Sequence, residues 1–173
     1  MLVALLEDSG REFYALLTRL TLREDVAEDL MQELFLRLSR SREFSRADSR
    51  TAYARRAAIH LAFDWRRARK RQPTTEQISP ALAARDASPL SRLIRDEQFD
   101  QILDAASKLS RVGREAFVMR YIQQEPYEAI AEQLGRTPHQ VRALCHKAVK
   151  QIRSLVNREL PQKPREQVPH ERD

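Results

Sequence analysis

A chain of 173 residues holds one or two domains, and its 42% hydrophobic content is enough for packed cores, while 6% aromatic residues and 3 glycines argue against a β-rich fold. The net charge of +6 and a sequence pI of about 9.9 favour a polyanionic partner. The one cysteine, Cys145, excludes an intrachain disulfide, no apolar run approaches the roughly 20 residues that span a bilayer, and MLVALLEDSG is too short and too soon acidic for a signal peptide, so a soluble intracellular protein is expected.

Phe13, Leu16, Leu17 and Leu20 recur at helical spacing and predict a first helix; Val26, Leu30, Leu34 and Leu38 predict a second. Residues 39–49 are polar, without period, and read as a loop. A third helix is expected over 51–70, with Ala54, Ala57, Ala58, Leu61 and Trp65 on its buried side. Period fades over 71–90, where Pro73, Pro80 and Pro89 fall, which predicts an interdomain linker with a short helical turn at 81–85. Phe99, Ile102, Leu103 and Ala106 restart the pattern, and a further helix begins near Ser110. Two short helices follow, Tyr127–Leu134 and Pro138–Val156, then a Pro-rich tail read as disordered. The expected class is all-α: two small helical domains, 1–71 and 93–158, a flexible linker at 72–92 and a tail at 159–173.

The segment PYEAIAEQLGRTPHQVRALCHKAVKQIR has the layout of a helix-turn-helix. Gly135 stands where the chain turns with positive φ, which Gly tolerates best. Thr137 suits the cap of the next helix and Pro138 its first turn. Val141, Cys145, Ala148 and Ile152 form an inward stripe. A recognition helix sets its N-terminal residues against base edges in the major groove, so His139, Gln140 and Arg142 are the candidates for that contact; Thr137 at the helix start and His146, Lys147 and Lys150 further along complete the −35 set, with Lys147 and Lys150 expected to meet phosphates. Leu144 fits either the core or a contact to thymine methyls. On the second helix, Asp29, Gln32, Glu33 and Leu36 share the face opposite the core stripe, which suits either a solvated face or docking onto a basic, partly apolar partner. On the third, Arg56, His60, Phe63, Arg67 and Lys70 line one outward face, flanked by Arg55. Cations grip phosphates and aromatics stack on exposed bases, so this face suits single-stranded or opened DNA. Tyr53 and Trp65 fit either that role or the core, and Asp64 is expected to pair with a neighbouring arginine.

DVAEDLMQELFLRL followed by AYARRAAIHLAFDWRRARKR resembles the second conserved domain of bacterial sigma factors, and LSRVGREAFVMRYIQQEPYEAIAEQLGRTPHQVRALCHKAVKQIR resembles their C-terminal promoter-binding domain. Two such domains and a short linker are similar to the extracytoplasmic-function (ECF) class. The resemblance implies that Asp29, Gln32, Glu33 and Leu36 bind core RNA polymerase, in the position of the family's DLxQE segment on the β′ clamp. It implies that residues 42–49 and Arg55, Arg56, His60, Phe63, Arg67 and Lys70 read the melted −10 element. It implies that the helix-turn-helix reads −35 duplex and that the linker threads toward the active-site channel. Implied partners are core polymerase (β′ clamp and β flap), promoter DNA and an anti-sigma factor, with no direct membrane insertion. The chain departs from the family at His60, usually Asn, and at Pro126, usually a hydroxyl cap.

The competing reading is a stand-alone helix-turn-helix regulator, which leaves the acidic face and the arginine–aromatic helix without a reason. A nuclease would need clustered carboxylates or an acid–lysine set in a cleft, and the acids here lie along one amphipathic helix. No catalytic residue, cofactor or metal is expected: there is no P-loop, and His60, His139, His146 and His170 show no zinc spacing.

Overall fold

A computed structural model describes residues 2–71 and 89–159. The N-terminal half holds α1 (Leu2–Thr21), α2 (Glu24–Arg40), α3 (Arg42–Arg46) and α4 (Arg50–Arg71). The C-terminal half holds α5 (Pro89–Ser107), α6 (Arg111–Phe117), a π-helical turn (Val118–Ile122), α7 (Tyr127–Leu134) and α8 (Pro138–Glu159). No strand occurs among the described residues, as the composition predicts. The expected helical turn at 81–85 and the tail from 160 onward lie outside the described residues.

The N-terminal core forms where three apolar stripes meet. Phe13, Leu16, Leu17 and Leu20 of α1 pack with Leu30, Leu34 and Leu38 of α2 and with Ala54, Ala58, Ile59, Leu61 and Ala62 of α4. The alanines let α4 approach α1 closely. A tight bend joins α1 to α2: Leu22 adopts φ 60° while its N–H bonds to the Thr18 carbonyl at 2.8 Å, and the Thr21 hydroxyl donates to the Leu17 carbonyl at 2.8 Å. Leu22 has a Cβ that disfavours this left-handed region, and its burial against the core holds it there.

The stretch expected as loop contains α3. Ser41 caps it by accepting a hydrogen bond from the Phe44 N–H at 3.0 Å, and Phe44 is buried 6.0 Å from the Tyr53 ring. One anchoring aromatic and one cap suffice for a single turn without any periodicity. Acid helps at its start: the backbone N–H of Glu43, and then the Ser41 hydroxyl, lower the Glu43 carboxyl below its ordinary range.

In the C-terminal half α8 packs against α5, α6 and α7. Val141, Cys145, Ala148 and Ile152 are all buried, as the stripe predicts, and Leu144 is half-buried. Gly135 ends α7 at φ 61°. Thr137 and Gln140 then cap α8 reciprocally: the Gln140 N–H donates to Thr137 Oγ1 at 3.2 Å and the Thr137 N–H donates to Gln140 Oε1 at 3.0 Å. Burial pushes the Cys145 thiol above its ordinary pKa, and its Sγ lies 3.6 Å from the Ala116 carbonyl.

Candidate nucleic-acid interface

Three surfaces carry the residues of interest. On α2, Asp29, Gln32 and Glu33 are exposed, and Leu36 and Phe35 beside them are 48% and 39% exposed. The opposite face of the same helix is core, so the acidic–apolar face is a separate surface. Glu33 is tied to Arg37 one turn on at 3.3 Å, an exposed pair of small energetic value. Arg23 bonds Asp25 at 2.5 Å and lowers that carboxyl below its usual range.

On α8, Thr137, His139, Gln140, Arg142, His146, Lys147 and Lys150 are exposed together. Arg142 lies 5.2 Å over the Tyr127 ring and 4.0 Å from Glu128, while Arg120 covers the same ring at 4.6 Å. Arg142 therefore rests on α7 and must leave it to reach a base. Gln140 spends its oxygen on the cap, which leaves its amide N–H₂ group for a base edge.

The basic face of α4 differs most from expectation, because it meets the C-terminal half. Arg55 pairs with Glu125 and donates to Gln133 Oε1 at 3.1 Å, and Gln133 donates to Glu125 Oε2 at 2.6 Å. His60 Nε2 approaches Glu115 Oε1 at 2.5 Å, with Arg111 Nε 3.6 Å from the same carboxylate oxygen. Nε2 carries at most one proton, so at this distance it donates to Glu115; the Arg111 Nε, 2.9 Å from Nε2, is then a close neighbour rather than a donor to it. Arg66, its side chain 1% exposed, donates to Asp100 Oδ1 at 2.5 Å, Asp104 Oδ1 at 2.6 Å and the Leu20 carbonyl at 3.2 Å. Lys70 reaches Asp104 at 3.4 Å, and Arg67 donates to the Ser107 carbonyl at 3.3 Å while pairing with Asp64, the ion pair expected within the helix. Elsewhere on the seam Arg19 donates to the Ile122 carbonyl at 3.0 Å.

Phe63 is a correction. Its helical spacing puts it in line with Arg56, His60 and Arg67, but it is 0% exposed, inside the core with the Arg114 guanidinium 5.2 Å from its ring. The cause is that α4 touches α1, α2, α3 and α5, so its buried arc is wider than one stripe. Phe63 offers no face to a base here. Trp65 is half-buried under Arg69, 5.5 Å from its ring, and Tyr53 is half-buried with its hydroxyl 3.0 Å from the Ser41 hydroxyl.

Residues 5–72 match the family model of Sigma-70 region 2, and residues 99–152 match that of Sigma-70, region 4. The chain belongs to the sigma-70 family. With only residues 73–98 between the two regions, this sigma factor has the two-domain ECF layout. A comparison with curated proteins gives no match. Among solved structures it is similar to the sigma factor RpoE of Bartonella quintana, solved in complex with the anti-sigma factor NepR, at TM-score 0.49 and 19% identity over 90% of this chain and 96% of that one. In this sigma factor, then, five of the six region-2 candidates, Arg55, Arg56, His60, Arg67 and Lys70, border the seam with region 4 or reach across it. Sequence reasoning missed the partners Asp104, Glu115 and Glu125 of these side chains, and Asp100, which holds Arg66 beside them; none of the four carries a motif. Their signal was weak: acids on helices otherwise read for their apolar stripe.

Proposed function

We propose that this sigma factor binds core RNA polymerase through Asp29, Gln32, Glu33 and Leu36 on α2 and directs initiation at promoters read in two places. The N-terminal turns of α8 contact −35 duplex: His139, Gln140 and Arg142 meet base edges, while Lys147 and Lys150 meet phosphates. Arg55, Arg56, His60, Arg67 and Lys70 of α4 take the non-template strand of the melted −10 element. The cations of that row supply phosphate contacts and therefore salt dependence. No nucleotide hydrolysis is required of the chain, since strand capture and polymerase contacts supply the free energy of melting. The protein works in the cytoplasm, and an anti-sigma factor is its natural antagonist. No described helix is long and apolar enough to cross a membrane.

The observation that carries this reading is the face of α2. A helix whose other side is core presents two acids, a glutamine and two large apolar side chains to solvent, and acids around an apolar centre complement a basic, partly apolar partner. The charge reversals Asp29→Lys and Glu33→Lys together should weaken binding to core polymerase by roughly tenfold or more, through loss of attraction and new repulsion, with an unchanged helical circular-dichroism spectrum. Unchanged affinity for the core enzyme in a fluorescence-anisotropy titration would show that this face does not dock.

A further inference from the structure

Between α4 and α6 lies a cleft of about 560 Å³ whose polar lining is dominated by arginine: Arg37, Arg56, Arg67, Arg111 and Arg114, with His60 and one acid, Asp64. Most of these charges are already matched. Arg37 is held by Glu33, Arg67 by Asp64, and His60 and Arg111 share Glu115. Arg56 and Arg114 make no ion pair among the described residues. Arg114 is the sharper case. It is 5% exposed, its Nε has no hydrogen-bond partner, and its one hydrogen bond is a long one, 3.5 Å from Nη1 to the Ser107 carbonyl. A buried cation without a counter-charge is costly. Burial, and then the nearby Arg67 charge, pull its pKa below the ordinary arginine range, and Asp64 and Glu115 only partly offset this.

We propose that this cleft is a binding site for a small ligand carrying two or more phosphate groups, which bridges Arg56 on region 2 to Arg114 on region 4. Guanidinium forks match phosphate oxygens in bidentate geometry, and such charge-assisted bonds are among the strongest available. The cleft lies within the usual range of small-molecule sites, roughly 300–1,000 Å³, and exceeds what one phosphate group fills. Its lining is mainly polar, which disfavours an apolar ligand or an amphipathic peptide. Because the two surplus cations sit on different regions, the ligand fastens the seam that already covers α4. The site exists only in the closed arrangement, and its existence does not depend on how α4 meets DNA.

The test is calorimetric titration of the full-length protein with inorganic tripolyphosphate at constant ionic strength. One saturable site is expected, with a melting temperature that rises with ligand concentration. Arg56→Gln and Arg114→Gln should each weaken the affinity roughly tenfold or more, the scale of one lost charged hydrogen bond, while Arg11→Gln on the exposed side of α1 leaves it unchanged. If Arg114→Gln does not fold, exposed Arg111→Gln replaces it on the α6 side. No saturable binding, an equal loss in Arg11→Gln, or full affinity in either the region-2 or the region-4 variant would each overturn the proposal, the second by showing a general polycation effect and the third by showing that nothing is bridged.

Discussion

Phe63 and Cys145 illustrate how single residues divide between chemistry and packing. Phe63 has no exposed surface and contacts Arg114 through its ring, so Phe63→Ala should cost about 3–5 kcal/mol of stability, the range for emptying a large core site. Urea denaturation measures this directly, and a variant within about 1 kcal/mol of the parent would return Phe63 to the DNA-facing surface. Cys145 is buried, with its thiol pKa pushed up by desolvation. The reactive thiolate is thus depleted at neutral pH, and rises only as pH climbs toward that elevated pKa. Alkylation of the native protein at pH 7 should be slow and should become immediate in denaturant; rapid native labelling would mark Cys145 as an exposed, redox-competent thiol.

At the scale of elements, the long helices were legible because each carries one apolar stripe that must be buried. The stripes of α1 and α8 appear in the core at the expected positions, as does that of α2 except for Val26, which is half-buried at its edge while Ala27 takes the buried place, and α7 begins and ends where its pattern does. The helix-turn-helix was legible in more detail, because Gly135, Thr137 and Pro138 each answer a specific backbone demand. Thr137→Ala removes the acceptor for the Gln140 N–H and should destabilise the C-terminal domain by about 1 kcal/mol, read as a lower melting temperature; an unchanged value would mean that the cap is replaced by water. Two elements escaped the sequence for physical reasons. α3 depends on one phenylalanine and one serine cap, too few residues to show a period. The π-helical turn Val118–Ile122 has Val118, Met119 and Ile122 buried, a spacing that fits an α-helix equally well. It is followed by Gln124 at φ 60°, a conformation that nothing in the side chain announces.

For the whole molecule, the sequence supplied the modules and their order but not their relation. The identity of each half lies in local motifs, whereas the closed arrangement depends on long-range pairs such as Arg55–Glu125, His60–Glu115 and Arg66–Asp100, and charge alone does not say which acid meets which base. Arg55 and His60 in these pairs are side chains that the proposed function gives to the −10 strand, so on that reading promoter engagement and domain closure compete for them. The measurement that tests the account most directly is run-off transcription from a library of random promoters, using bacterial core polymerase from the same source with and without this protein. Transcripts that require the protein and share −35 and −10 elements are expected, with Arg142→Ala relaxing the −35 preference and leaving the −10 preference intact. Tight, specific binding of duplex DNA by the protein alone, with no protein-dependent transcript, would contradict it.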